Sequence, residues 1–424
     1  MGDPPDGRTL PLAGLVVLDL GQIYQGPYAT LLMAKAGADV IKIEPPGGEP
    51  IRARTRLGRQ AAIPLAMLNA NKRAVTLDLK TPDGAALLRR MAARADVLLE
   101  NFAPGVMDRL GVGWAALHAV NPRLVYASGS GYGLSGPDRD NLAMDLTVQA
   151  TSGVMSVTGF PDGPPTKAGP ALVDFLGGIH LYAGVLTALY ERHFTGQGRL
   201  VEVAMQETVY PALASALGFV HRSGGTVPPR TGNRHSGLAS APYNVYRAAD
   251  GHVAITCVVE AHWTALLAAM GRPELGDDPQ FSSNARRVAN MEATDAVVEA
   301  WTVTLPKAAI HALAKRHRIP CAPVRDLLEV MTDPHMHERG ALQWIDHPEF
   351  GRLVAPNSPL RLHGADTVPA APSPALGEHD QEVYRGWLGL SEGELARLRA
   401  AGVIGPRPPR GGRTGRELGP DAAS

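Results

Sequence analysis

One acidic residue lies alone in an apolar stretch of this chain, and its carboxylate is the first candidate for chemistry. Asp174 stands within GPALVDFLGGIHLYAGVLTALYERH, among Ala, Leu, Val and Phe side chains. A carboxylate in such surroundings loses solvation, which a chain tolerates mainly where the charge has a partner or a function. A dehydrated carboxylate can attack an activated acyl carbon and so divide one difficult transfer into two easier ones.

The residues around Asp174 predict how this carboxylate stays ionised and dry. Pro170 opens the apolar run and predicts a helix that starts there, with Asp174 in or just after its first turn. Free N–H groups and the positive end of the helix dipole favour a negative charge at that position. Gly177 and Gly178 allow a backbone or a ligand to approach closely. Acidic residues near helix starts are also common caps, so a structural role for Asp174 stays open.

The elements before Asp174 predict the framework that positions it. From Leu15 onward, short β-branched runs alternate with helical stretches, which predicts βαβ units, a parallel sheet and a Rossmann-like large domain. The loops after the strands read GQIYQGP, EPPGGEP, ENFAPG and SGSGYG. We expect them to form one ligand crevice at the carboxyl ends of the strands. No complete G-x-G-x-x-G follows the first strand, so the pattern does not favour a dinucleotide site.

The pattern changes in the second half of the chain. The segment RSGGTVPPRTGNRHSG is typical of a linker, and PYNVYRAADGHVAITCV predicts a hairpin that turns at Asp250 and Gly251. We predict an α/β fold with four parts: a Rossmann-like large domain over 1–222, a smaller α+β domain with linkers over 223–335, a return to the large domain over 336–404, and a disordered tail over 405–424.

Composition limits the partners. The 424 residues contain 41 Lys plus Arg and 41 Asp plus Glu, a balance that favours a small-molecule substrate over nucleic acid or a membrane surface. Two cysteines without ligand spacing argue against a disulfide framework or a metal site, and no secretory signal is recognisable, so we expect a cytoplasmic protein. The apolar stretch at 168–190 carries Asp174 and His180, which argues against a membrane span.

Several motifs together point to a known family. The segment from SVTGFPDGPPTKAGPALVDF to VEVAMQE is accompanied, in order, by LDLGQIYQGPYATLLMAKAGADVIKIEPPGG, NANKRAVTLDLKTPDG, DVLLENFAPGVMDRLG, GNRHSGLASAPYNVYRAADGHVAI and LGEHDQEV. This set resembles the class III CoA-transferase family, which includes formyl-CoA transferase, carnitine CoA-transferase and α-methylacyl-CoA racemase. The resemblance extends over roughly residues 10–404.

The resemblance implies a reaction. Asp174 would attack a donor thioester to give an aspartyl anhydride and CoA thiolate, and the thiolate would return to form an aspartyl-CoA thioester. An acceptor carboxylate would then reverse the sequence. Thiols with a pKa near ~8.5 leave without help from a metal. The family further implies CoA thioester as a substrate, no permanently bound cofactor, and an interlocked homodimer.

The resemblance also assigns residues, with CoA bound by the large domain. The positions that match CoA contacts are Leu77, Lys80, Asn101, Phe102, Ala103, Arg109 and Asp145. Tyr24 and Gln25 match positions at the thioester or acyl group. His235, with Arg234 beside it, is a candidate contact for the acceptor carboxylate.

Two departures from the family narrow the expected reaction. The racemase places a histidine where this chain has Met144, so α-proton exchange loses one of its two bases and transfer is favoured. GNRHSGLASAPY replaces the glycine run of formyl-CoA transferase, which argues against formyl-CoA and oxalate as substrates. We expect an acyl-CoA:carboxylate CoA-transferase for small organic acids, including dicarboxylates such as succinate. An acyl-CoA isomerase or racemase, an intramolecular CoA transferase, a non-catalytic CoA-binding protein and a nicotinamide-dependent oxidoreductase stay as alternatives.

Overall fold

Two compact units make up the chain. The structure is a computed structural model that describes residues 10–52, 62–227 and 230–407. Of these residues, the first unit consists of 10–52, 62–144, 173–208 and 334–407, and the second of 145–172, 209–227 and 230–333.

A parallel sheet forms the centre of the first unit. Its six strands lie in the order β3-β2-β1-β4-β5-β6, and every pairing in it is parallel. The bounds are β1 (Val16–Asp19), β2 (Asp39–Glu44), β3 (Arg73–Thr76), β4 (Val97–Glu100), β5 (Val125–Ser130) and β6 (Leu200–Ala204). This arrangement confirms the predicted Rossmann-like sheet.

Alternate residues of each strand face opposite sides of this sheet. Val17 packs in one hydrophobic cluster and Leu18 in the other, and the same holds for Val40 and Ile41. Such strands are buried on both faces, which explains why they are almost continuously apolar in sequence. Charged residues inside these strands are therefore exceptions to the apolar pattern.

Seventeen α-helices are described, and several of them connect the strands of the parallel sheet. In chain order they are α1 (Gln25–Lys35), α2 (Ile63–Leu68), α3 (Pro82–Ala92), α4 (Val106–Arg109), α5 (Trp114–Val120), α6 (Asp145–Thr151), α7 (Val154–Val157), α8 (Leu172–Thr195), α9 (Met205–Val209), α10 (Ala214–Arg222), α11 (Glu260–Met270), α12 (Asn284–Ala289), α13 (Met291–Thr302), α14 (Lys307–His317), α15 (Leu327–Met331), α16 (Pro334–Glu338) and α17 (Glu392–Ala400).

The second unit contains a small antiparallel sheet with its own core. The strands β7 (Tyr243–Ala248), β8 (Gly251–Thr256) and β9 (Cys321–Pro323) form this sheet in sequence order. Tyr246, Trp263 and Phe281 belong to the hydrophobic cluster that helices of the unit complete. The predicted hairpin is present, but Ala248 pairs directly with Gly251, so the turn consists of Ala249 and Asp250.

The C-terminal segment belongs to the first unit. It contributes a two-stranded antiparallel sheet of β10 (Leu342–His347) and β11 (Gly351–Pro356), followed by a π-helical stretch over Glu382–Trp387 and by α17. The Asp380 carboxylate accepts hydrogen bonds from the Thr76 N–H and hydroxyl at 2.8 and 2.9 Å. The segment thereby closes over the end of β3.

The bounds of the two units differ from the predicted domain bounds in the middle of the chain. Residues 145–172 and 209–222, which the sequence pattern placed in the large domain, group with the second unit. The return to the first unit begins at Pro334. Of the predicted linker and tail, 228–229 and 408–424 lie outside the described residues.

Candidate active site

The strand order reverses between β1 and β4, and the candidate site begins at their carboxyl ends. β1 lies between β2 and β4, so consecutive strands run outward in opposite directions from this pair. In open α/β sheets, ligands bind where the strand order reverses in this way. The loops that follow are 20–24 after β1 and 101–105 after β4.

Asn101 joins these two loops. Its Oδ1 accepts a hydrogen bond from the Gln22 N–H at 2.7 Å, and its Nδ2 donates to the Gln22 carbonyl at 3.1 Å. The side chain predicted to contact CoA is thus engaged in holding one crevice loop against the other.

Buried charges lie beneath the first loop. Asp19, at the end of β1, accepts hydrogen bonds from the Gly21 N–H at 2.8 Å and from Lys72 Nζ at 2.8 Å. Burial raises the pKa of Asp19, but Lys72 and Lys42 outweigh it and hold that pKa below its ordinary value. None of these three residues was predicted; for Asp19 and Lys42 the available signal was a charged residue inside the apolar strand segments LVVLDL and DVIKIE.

A second buried ion pair, between Lys42 and Glu49, holds a strained residue of the same loop. Ile23 has a φ of 63°, a left-handed conformation that costs a β-branched residue about 1–3 kcal/mol. Glu49 Oε2 accepts the Ile23 N–H at 2.9 Å, and Glu49 Oε1 pairs with Lys42 Nζ at 2.9 Å. The strained turn leads directly into Tyr24 and Gln25.

Asp174 lies in the first turn of α8, as predicted, and its side chain is buried. The next residue, Phe175, stacks on Tyr24 with ring centroids 5.9 Å apart and meets Tyr28 edge-on at 4.9 Å. The structure therefore brings the loop after β1 against the turn that carries Asp174.

Gln25 occupies a cradle made of glycines. A Cβ at Gly177 would lie 2.7 Å from Gln25 Nε2, and a Cβ at Gly129 would lie 2.7 Å from Gln25 Oε1. The side chain is buried, and Nε2 has no hydrogen-bond partner among the described residues. A buried amide N–H without a partner costs about 1–3 kcal/mol, which is typical of a group kept for a ligand.

The other residues predicted at CoA in the first unit follow β3 and β4, with different exposure. Leu77 is buried in the core, and its N–H donates to the Glu44 carbonyl at 2.7 Å. Lys80, Ala103 and Arg109 are exposed. Phe102 is half-buried and packs against the core cluster.

Glu100, at the end of β4, is a further buried group that was not predicted from the sequence. Its Oε2 accepts the Phe102 N–H at 2.8 Å, and it borders a cavity of about 250 Å³ that Tyr126 and Ser128 also line. Burial raises the pKa of Glu100 to about 7. Glu100 therefore titrates near neutral pH beside the segment 101–103.

The remaining predicted residues belong to the second unit. Asp145, at the start of α6, is buried and accepts a hydrogen bond from Gln149 Nε2 at 2.6 Å. Arg234 donates through Nε to Asp295 at 2.9 Å. His235 Nδ1 accepts the Gly237 N–H at 3.1 Å, and its ring meets Tyr243 edge-on. Arg234 and His235 thus have structural partners within their own unit.

The described part of the chain was also considered for metal ligands and membrane spans. Within residues 10–52, 62–227 and 230–407, no group of three or more His, Cys, Asp or Glu side chains stands close enough together to hold a metal ion. Among the helices of those same residues, α8 is the one long and apolar enough to cross a bilayer. Its buried residues Leu181, Val185 and Ala188 pack against the sheet, and 33% of its most apolar 18-residue window is buried.

Comparison with known proteins identifies the family. The model of "CoA-transferase family III" matches residues 12–380. A formyl-CoA:oxalate CoA-transferase from Streptomyces avermitilis is 38% identical over 93% of this chain and 100% of its own length. A succinyl-CoA–D-citramalate CoA-transferase from Chloroflexus aurantiacus is 36% identical over 93% of this chain and 98% of its own.

A solved structure gives the same result for the fold. A CAIB/BAIF family protein from Brucella suis superposes with a TM-score of 0.78 and 33% sequence identity, covering 89% of this chain and 99% of that one. Motifs, fold and relatives agree over nearly the whole length, and the chain belongs to CoA-transferase family III.

Proposed function

We propose that this protein transfers CoA from an acyl-CoA donor to a small organic acid, with Asp174 as the nucleophile. The observation that carries the proposal is the buried carboxylate in the first turn of α8, with the unpartnered Nε2 of Gln25 beside the next turn. A nucleophile and a hydrogen-bond donor are thereby held together in a dry site.

The proposed reaction uses acyl transfer in both directions. An Asp174 oxygen attacks the thioester carbonyl, the C–S bond breaks, and CoA leaves as a thiolate. The thiolate attacks the aspartyl carbonyl of the anhydride, which releases the donor acid as its carboxylate and leaves an aspartyl-CoA thioester. The acceptor carboxylate then attacks this thioester, and the returning thiolate takes its acyl group from the new anhydride. No net proton is required.

Gln25 is the proposed donor to the oxygen that becomes negative in each tetrahedral intermediate. An amide N–H already placed in a water-poor site stabilises such an oxygen more than it does the neutral carbonyl. Removing one donor of this kind costs about 100-fold to 1,000-fold in kcat. The buried and unpartnered Nε2 supports this role.

The class of acceptor acid that we propose rests on the names of the relatives more than on the geometry of the site. Relatives named for oxalate and for D-citramalate have similar identity to this chain, and both acids are small dicarboxylic acids. These relatives weigh against our expectation, from the GNRHSGLASAPY segment, that formyl-CoA and oxalate are disfavoured as substrates. We propose succinate, oxalate and citramalate as the first acids to test.

The isomerase alternative rests on Asp145, which lies at the position that follows the histidine in the racemase. Met144 occupies the histidine position and has no titratable proton. We therefore expect no incorporation of solvent deuterium at the acyl α-carbon, measured by mass spectrometry. Deuterium incorporation at the turnover rate would favour the isomerase.

Replacement of Asp174 tests the proposal directly. Asp174→Asn keeps the shape of the side chain but removes the nucleophile, and we expect CoA exchange between succinyl-CoA and oxalate to fall to the detection limit. Glu191→Gln, on the exposed end of the same helix, is the matched control and should keep wild-type turnover. Hydroxylamine added during turnover should modify Asp174. Full exchange by Asp174→Asn would rule out the covalent route.

We also propose that the protein is a homodimer. Ile179, Tyr190 and Phe194 on α8 are exposed to 44, 70 and 68%, an apolar surface that a second copy could cover. Light scattering should give twice the mass of the chain, and a monomer at micromolar concentration would contradict it.

A further inference from the structure

A second cavity of the first unit lies away from Asp174. It has a volume of about 280 Å³ and is bordered by Lys35, by Tyr182 and by the segment 357–368. Lys35 is the last residue of α1, ten residues beyond Gln25, which places it about 15 Å along the helix from the active-site end. Its surroundings therefore differ from those of the proposed reaction.

Lys35 is a buried ammonium without a partner among the described residues. The residue is 6% exposed, and Nζ has no hydrogen-bond acceptor in that part of the chain. Two other buried lysines of this unit have partners: Lys42 pairs with Glu49, and Lys72 has acceptors on Asp19, Asn69, Thr30 and the Pro27 carbonyl at 2.8–3.0 Å. A buried charge normally requires such partners, because desolvation costs several kcal/mol. The contrast indicates that a ligand supplies the partner of Lys35.

The cavity wall supplies further groups for an anion. Arg361 and His363 line it, and Asn357 and Ser358 add neutral polar side chains. Asp366 is the acidic residue on the wall, so basic groups outnumber acidic ones. An ammonium, a guanidinium and hydroxyl or amide donors are the groups that bind carboxylate and phosphate oxygens.

We propose that this cavity is a binding site for a small oxyanion, held by Lys35 and separate from the acyl-transfer site. Carboxylate and phosphate share the required chemistry. The site does not depend on the nucleophilic role of Asp174, so either proposal can fail without the other.

Calorimetric titration of the full-length protein tests the site, with inorganic phosphate and succinate in separate experiments at constant ionic strength. Lys35→Met keeps most of the side-chain volume and should weaken binding about tenfold or more, the value of a lost charge-assisted hydrogen bond. Lys315→Met, which removes one exposed charge from α14 in the second unit, should leave binding unchanged. Binding of phosphate or of succinate supports the site where Lys35→Met weakens it, and the anion concerned identifies the source; succinate binding that Lys35→Met leaves unchanged belongs to the Asp174 site and counts against this one.

The pH dependence supplies an independent measurement. Burial lowers the pKa of Lys35 to about 8, so binding of succinate, whose charge is constant over this range, should weaken as the pH rises from 7 to 9 in the wild type but not in Lys35→Met. If Lys35→Met does not fold, Arg361→Ala on the exposed rim replaces it, with a smaller loss expected. Equal affinity of wild type, Lys35→Met and Arg361→Ala for both anions would overturn the proposal.

Discussion

At the scale of single residues, the site depends on groups whose environment makes them costly to keep. Asp174 is a buried carboxylate, and Gln25 carries a buried N–H without a partner among the described residues. Natural chains retain such groups mainly where a ligand satisfies them. Asp174 lies within one helical turn of Gly177, and Gln25 packs directly on that glycine. Gly177 is therefore an uncharged position at which a small substitution should disturb the site.

Gly177→Ala should therefore separate activity from stability. The added Cβ would lie 2.7 Å from Gln25 Nε2 and displace it, so we expect kcat to fall about 10-fold to 100-fold. Alanine in a helix is favoured over glycine by about 0.5–1 kcal/mol, which offsets part of the steric cost. Gly184→Ala is the control, because its Cβ would meet Val201 at 2.7 Å, away from Gln25. A wild-type kcat in Gly177→Ala would contradict the proposed role of Gln25 as hydrogen-bond donor.

Glu100 gives a prediction on pH. Its pKa is about 7 in the folded protein against 4.5 as a free group, so the folded state binds the extra proton between these values. Stability from this group is thus lost as the pH rises from about 4.5 to 7, by about 3 kcal/mol. Glu100→Gln should show little change near pH 4.5 and be relatively more stable by that amount at pH 8, in urea unfolding. A pH-independent difference would contradict the assignment.

At the scale of elements, the loop after β1 is the part that the rest of the structure positions. Asn101 fixes it from the loop after β4, and Glu49 fixes Ile23 from the segment after β2. The loop forms no helix or strand of its own before α1 begins at Gln25. Its geometry is therefore imposed by side chains from neighbouring strands.

Two substitutions of Glu49 distinguish its ion pair with Lys42 from its hydrogen bond to the Ile23 N–H. Both Glu49→Gln and Glu49→Ala remove the carboxylate that pairs with the buried Lys42, which then keeps only the attraction of Asp19 and Glu44, and should cost at most about 3–5 kcal/mol of stability. Only Glu49→Ala also removes the acceptor of the Ile23 N–H, so its kcat/KM should be lower by about tenfold more. Hydrogen exchange at the Ile23 amide reports the tether. Equal kcat/KM for the two variants would count against positioning by Glu49.

At the scale of the whole molecule, the chain crosses between its two units four times, after residues 144, 172, 208 and 333. Each unit is consequently assembled from segments distant in sequence. The clearest case is the C-terminal segment, whose Val383, Tyr384 and Leu388 belong to the same core cluster as Leu18.

Asp380→Ala measures the contribution of that C-terminal closure. The change leaves the Thr76 N–H and hydroxyl without their acceptor, and we expect a loss of about 1–3 kcal/mol in the free energy of unfolding. Glu382→Ala, which removes an exposed ion pair to Arg73, should cost less than about 1 kcal/mol. Chemical denaturation of both variants makes the comparison, and similar losses would argue against a specific closure.

Much of the fold could be predicted because it depends on local patterns of apolar and polar residues along the chain. The alternation of buried strands with helices predicted the parallel sheet, and the apolar run after Pro170 predicted the helix start and the burial of Asp174. The resemblance to relatives also implied that Tyr24 and Gln25 stand near the reacting group. These features depend on neighbours along the chain or on motifs that relatives share.

The tertiary structure alone decided which side chains meet across the sheet. Asn101 and Gln22 lie 79 residues apart, and Lys72 and Asp19 lie 53 apart, yet each pair is in direct contact. Asn101 meets Gln22 because β4 lies beside β1, and Lys72 reaches Asp19 from the segment before β3, with β2 between β3 and β1. The sequence by itself determined that Asp174 is a dry carboxylate at a helix start. Only the folded sheet brought Gln25 beside that turn, because side chains far apart in sequence hold its loop.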